Sequence, residues 1–87
     1  MVDLARRRVR LADREVELTT TEFDLLAYLT GDPGRVFSRG HLLEAVWQYQ
    51  SAVSSRTVDV HVGQLRAKLG PGCPIRTVRG VGYGLEG

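Results

Sequence analysis

The 87-residue sequence predicts an α+β domain: strands first, three helices with a short strand after the first, then a closing β-hairpin. Three observations carry this prediction. Thr19-Thr-Thr-Glu22 is a capping box set directly before apolar residues at helical spacing. Val58, Val62, Leu65 and Leu69 form one apolar stripe on a later helix. Ile75-Arg-Thr-Val-Arg-Gly-Val-Gly-Tyr83 reads as a short hairpin whose glycine-rich tip carries an arginine.

At the N-terminal end, Arg8-Val-Arg-Leu11 and Glu15-Val-Glu-Leu18 alternate and flank Ala12-Asp13-Arg14, which predicts a β-hairpin. Residues 2–4 suit a further strand but are too short to assign by pattern. In the capping box, Thr19 can accept from the third helical N–H while Glu22 reaches back. The helix it opens turns Phe23, Leu26, Ala27 and Leu29 toward a core and stops at the breaker Gly31-Asp-Pro-Gly34. Val36-Phe37 reads as a short isolated strand. Ser38 caps a second helix, with Leu42, Leu43, Val46 and Trp47 as its buried stripe. The indole N–H of Trp47 could alternatively reach a phosphate at the helix end. Residues 48–55 lack periodicity and read as a loop, with Ser54 or Ser55 capping the third helix. Gly70-Pro71 ends that helix.

Composition narrows the function classes. With 43% hydrophobic and 25% charged residues the chain is an ordinary globular sequence forming a single domain, 1–87. No apolar run approaches the roughly 18 residues of a membrane span. Arg6-Arg7-Arg8 is not followed by an apolar stretch and so opens no signal peptide. The single cysteine, Cys73, suits a reducing cytoplasm. His41, His61 and Cys73 lack the spacing of a zinc site. Asp59 and His61 stand two apart on one helix and point in different directions, a poor catalytic pair. Asp59 is expected to support Arg56 through an i,i+3 contact. The sequence therefore predicts no enzyme, no metal and no cofactor.

Charge points to a polyanion. Residues 1–50 carry seven Lys/Arg against eight Asp/Glu, whereas residues 51–87 carry five against two. At about 100° per residue, Arg56, Val60, Gly63 and Ala67 lie opposite the apolar stripe of the third helix. Thr57, His61, Gln64 and Lys68 form one flank, Asp59 and Arg66 the other. Such a helix suits the major groove of DNA, whose base edges offer donors, acceptors and thymine methyls. Gln64 could bond adenine through both its amide groups, and Val60 could meet a thymine methyl. Arg56, Thr57, His61, Arg66 and Lys68 are placed as phosphate contacts, although His61 suits a partly buried structural role equally well. In the hairpin, Gly80 and Gly82 permit a tight tip with positive φ. Arg79 at that tip could enter a minor groove, with Arg76 and Thr77 near phosphates at its base.

The chain resembles the winged-helix effector domain of OmpR/PhoB-type response regulators. The resemblance is carried by Leu18-Thr19, Glu22-Phe23, Leu25-Leu26, Val36, Ser38-Arg39, Leu42-Leu43, Trp47, Arg56-Thr-Val-Asp-Val-His61, Leu65-Arg66, Lys68-Leu69 and Thr77-Val-Arg-Gly-Val-Gly-Tyr83, in matching order and spacing. It implies a winged helix-turn-helix with an N-terminal antiparallel sheet, a recognition helix over residues 56–69 and a wing over residues 75–85. It also implies a role in two-component transcription regulation, with double-stranded DNA as partner, bound at direct repeats. The isolated domain would then be a monomer that pairs head to tail on DNA. Gln48, Tyr49, Gln50, Ser51, Ala52, Val53 and Ser54 would form a loop contacting RNA polymerase. Three departures stand out. Gly63 occupies a position that is often polar or basic in the family, and Gln64 one where arginine or lysine is common and would give a guanine contact. The chain also starts later than the family's sheet usually does, so the first strand is expected to be missing or incomplete. The phosphorylatable receiver domain is absent from the sequence.

Overall fold

The computed structural model describes residues 2–3, 5–11, 13–47 and 55–86. Three short antiparallel strands, β1 (Val2–Asp3), β2 (Arg8–Leu11) and β3 (Arg14–Val16), form the first sheet in that order. Val9 and Val16 pair across it and face the core, while Arg8, Arg10 and Glu15 stay outside, the alternation a half-buried sheet requires. The first strand is thus present, as a two-residue pairing of Val2 with Val9 and Asp3 with Arg8. Leu11 pairs with Arg14, so the connection is two residues long, and Asp13 takes φ +64°, which an Asp tolerates. The short turn draws Arg14 into the ladder. β3 therefore starts one residue before its alternating pattern suggests and ends at Val16, two residues short of Leu18.

The capping box forms as expected. The Thr19 hydroxyl accepts from the Glu22 N–H at 3.2 Å, and Glu22 Oε1 accepts from the Thr19 N–H at 2.9 Å. It opens α1 (Thr20–Thr30), which buries Phe23, Leu25, Leu26 and Leu29. Leu25 extends the expected face, and Ala27 is only partly buried. After α1 come β4 (Val36–Ser38) and α2 (Arg39–Trp47). Ser38 Oγ accepts from the His41 N–H at 3.0 Å, the predicted cap. α3 (Ser55–Leu69) follows, then a 3-10 turn (Gly70–Gly72), β5 (Ile75–Val78) and β6 (Gly82–Leu85). Val58, Val62, Leu65 and Leu69 are each no more than 2% exposed, so the α3 stripe is the centre of the core.

β4 is not isolated. It pairs antiparallel with β6, which lies between β4 and β5 in a second sheet. Phe37 opposite Tyr83 and Val36 opposite Gly84 thereby tie the segment before α2 to the C-terminal hairpin. On the far side, Arg7 fastens the first sheet to α1: its guanidinium donates to Asp24 Oδ1 at 2.6 Å and lies over the Phe23 ring. No helix among the described residues is long and apolar enough to cross a membrane.

Candidate nucleic-acid interface

Because its stripe faces inward, α3 presents Arg56, Val60, Gly63, Gln64 and Ala67 to solvent. Val60 is 55% exposed, an apolar side chain left outside on a helix that is otherwise correctly sorted. Gly63 meets nothing within 4 Å at the position of a Cβ, so this face is open at its middle. Thr57 and His61 are half-buried on one flank. His61 Nδ1 lies 2.9 Å from the Thr57 carbonyl oxygen, which can only accept, so Nδ1 carries the proton and Nε2 is the remaining nitrogen. A neutral ring then offers an acceptor outward, and only a protonated one can donate to a phosphate. The ring stands edge-on to Trp47 at 5.1 Å between centroids. Trp47 is itself half-buried against the core, less enclosed than its place on the α2 stripe suggests.

The hairpin of β5 and β6 is the wing. Its connection is Arg79-Gly80-Val81, with Val78 opposite Gly82 and the Val81 N–H donating to the Val78 carbonyl at 3.0 Å. Gly80 has φ +76°, so the tip does need a glycine there. Gly82 is not part of the tip. It sits in the ladder beside Ser38, where a Cβ would fall 1.8 Å from the Phe37 carbonyl oxygen. Arg76, Thr77, Arg79 and Val81 are exposed. Arg76 and Arg79 make no hydrogen bond or ion pair with another described residue, and Arg56 makes no direct one.

Two cations that the sequence places among the phosphate contacts have partners inside the domain. Lys68 Nζ is 2.6 Å from Oε1 of Glu22, a carboxylate that is 1% exposed. Burial pushes that carboxyl up, but hydrogen bonds from Lys68 and the Thr19 backbone outweigh it and hold its pKa below the ordinary value. Arg66 donates to the Ile75 carbonyl at 3.2 Å and to Thr77 Oγ1 at 2.6 Å, bracing the wing against α3. Thr77 is engaged by the same bond.

Asp59 differs most from expectation. Its Oδ1 accepts from Arg39 Nε and from the Tyr83 hydroxyl, each at 2.6 Å, and Arg56 exerts only a weak field on it. The Tyr83 hydroxyl and the Arg39 guanidinium together keep the carboxyl below its usual pKa. Burial and the carboxylate push the Tyr83 hydroxyl up, so it stays protonated and donates. Arg39 also lies over the Tyr83 ring at 5.3 Å. The Arg39 and Asp59 side chains are 36% and 41% exposed, so solvent screens the pair and it adds little to stability. Sequence reading passed over Arg39 and Tyr83 as site residues because their shared partner lies 20 and 24 positions away. Residues 48–54, expected to contact polymerase, lie outside the described residues.

A three-helix domain with its third helix bonded along one flank to an arginine-tipped hairpin is a winged helix-turn-helix. The chain belongs to the family described as "Transcriptional regulatory protein, C terminal", whose pattern matches residues 13–85. It is 53% identical to the phosphate regulon transcriptional regulatory protein PhoB of Rhizobium meliloti over 98% of its own length and 39% of that protein's, so it spans well under half of this relative. Among solved structures, it matches the DNA-binding domain of the response regulator AdeR in complex with an intercistronic region at 35% identity. The TM-score there is 0.84, over 99% of this chain and 90% of that one. The Klebsiella pneumoniae RstA DNA-binding domain in complex with the RstA box matches at 32% identity and a TM-score of 0.84, over 98% and 88% of the two chains.

Proposed function

We propose that this chain binds double-stranded DNA sequence-specifically as the effector domain of a two-component transcriptional regulator. α3 enters the major groove and the wing meets the adjacent minor groove. The observation that carries the reading is the pairing of an open α3 face (Arg56, Val60, Gln64) with a wing whose Arg76 and Arg79 are uncommitted among the described residues. The AdeR and RstA domains, similar over nearly the whole chain, are complexed with DNA. A protein-docking helix would instead expose apolar residues, and the exposed large hydrophobics among the described residues are Val60 and Val81.

Within this reading Gln64 and Val60 read base edges, while Arg56 and Thr57 contact phosphates and His61, bonded through Nδ1 to the Thr57 carbonyl, takes the structural role on that flank. Arg79 enters the minor groove and Arg76 lies at its phosphate rim. Arg66, Thr77 and Lys68 hold the domain together rather than the DNA. The domain acts in the cytoplasm as a monomer that pairs head to tail on direct repeats, and residues 48–54 contact RNA polymerase.

Salt dependence tests the reading and counts the contacts together. With Arg56, Arg76 and Arg79 neutralising phosphates, log K should fall against log salt with a slope near about −3 on a duplex selected from a random library. If Arg66 and Lys68 also met phosphates, the slope would steepen to about −4 to −5. A flat dependence, or no binding at low salt, contradicts DNA binding.

A further inference from the structure

Nothing in the two-groove reading, on which this inference rests, says what sets the angle between α3 and the wing. The β5–β6 hairpin is held at its base by β4, through Ser38 opposite Gly82 and Phe37 opposite Tyr83. That pairing leaves its orientation toward α3 to side chains. Two of them, Asp59 and Arg66, make the connection from the same flank of α3. Asp59 accepts from the Tyr83 hydroxyl on β6, and Arg66 donates to Ile75 and Thr77 on β5. They stand seven residues apart, or about 10 Å along a helix. Two attachment points at that separation fix an orientation, whereas one would leave a pivot.

We propose that Asp59 is a positioning residue for DNA binding, holding the wing through Tyr83 at the angle that lets Arg79 reach the minor groove while α3 occupies the major groove. Its chemistry fits that task better than a stabilising one. A carboxylate on a helix that approaches phosphates is repelled unless neutralised. Here Arg39 from α2 and the Tyr83 hydroxyl from β6 cover the same oxygen at 2.6 Å. The pair with Arg39 is half exposed and screened, so stability alone gives little reason for it. Asp59 is thus the point where α2, α3 and β6 meet. The guanidiniums of Arg39 and Arg66, 5.3 and 5.8 Å from the Tyr83 ring centroid, keep that ring in place from two other elements.

A double-mutant cycle tests this on the full chain, using the duplex selected by the wild-type protein at one fixed salt concentration. Tyr83→Phe keeps the ring and removes the hydroxyl, and Arg79→Ala removes the minor-groove cation. Arg79→Ala should weaken wild-type binding by about tenfold but the Tyr83→Phe protein by about threefold or less, because the misaligned arginine already contributes little. Loss of folded protein would lower affinity by the same factor with or without Arg79, so a purely structural role leaves the two ratios equal. Asp59→Ala, which removes the acceptor, should in the same cycle reproduce the loss of coupling from the other end of the bond. Equal ratios in all backgrounds overturn the proposal while the wing reading stands. If Arg79→Ala costs the wild-type protein nothing, the wing reading fails and takes this proposal with it.

Discussion

Gly82→Ala is expected to leave the domain largely unfolded. β6 is the central strand of the second sheet, and Gly82 stands between Ser38 on β4 and Val78 on β5. A Cβ there would lie 1.8 Å from the Phe37 carbonyl oxygen and 2.8 Å from its carbon. Both are backbone atoms, so no rotamer change relieves the clash and β4 has to separate from β6. Phe37, 3% exposed and 5.1 Å from the Tyr28 ring, would lose its packing with it. Overpacking typically costs about 1–3 kcal/mol, and a clash with backbone that no rotamer relieves belongs above that range, against a total stability of about 5–15 kcal/mol for a whole domain. Gly80→Ala is the control: its φ of +76° makes alanine costly by about 1–2 kcal/mol, but nothing lies within 4 Å. Thermal unfolding followed by circular dichroism should show a cooperative transition for Gly80→Ala and little or none for Gly82→Ala. Wild-type-like melting of Gly82→Ala would mean that β4 does not approach β6 this closely.

The second large effect is that of Lys68→Met, at about 2–3 kcal/mol. The methionine keeps the length of the stem and deletes the ammonium, which leaves Glu22 buried with the Thr19 N–H as a remaining donor. Breaking a buried pair from one side costs about 3–5 kcal/mol. The Lys68 side chain is 38% exposed, so water replaces part of what is lost and the estimate falls below that range. The sign of the pH dependence follows from Glu22. Its folded pKa is depressed, so its contribution is fully present above the unfolded value and is lost as pH falls through the folded one. Without the ammonium, burial pushes the Glu22 carboxyl up and the variant takes its proton sooner. The stability gap between wild type and Lys68→Met, measured by urea unfolding, should therefore be widest near pH 7 and narrow toward about pH 4. A gap that is absent, or constant with pH, contradicts the pairing. On DNA, Lys68→Met should leave the salt slope unchanged, whereas loss of a phosphate contact would reduce it by about one.

What could be read from the sequence is what depends on near neighbours. The Thr19–Glu22 cap spans three residues and the α3 stripe repeats every three or four, so both appear in the linear pattern. The wing was visible for the same reason, as two short runs joined by glycine. The pairings that fix what each charged group does span the chain: Arg39 to Asp59 over 20 residues, Tyr83 to Asp59 over 24, and Lys68 to Glu22 over 46. A lysine on a polar helix flank looks like a phosphate ligand until the fold shows which carboxylate it meets. Gly82 looks like a turn residue until β4 is found to lie against it.

Two-groove recognition is tested most directly by repeating the selection of bound duplexes with Gln64→Ala and Arg79→Ala beside the wild-type protein. Neither residue belongs to the core, so both variants should fold. Gln64→Ala should relax preference at one or two base pairs, with about 1–3 kcal/mol of discrimination lost there. Arg79→Ala should keep the central preference, lose affinity mainly on A·T-rich flanks and reduce the salt slope by about one. Sites and affinities identical to wild type for both variants would contradict binding through α3 and the wing.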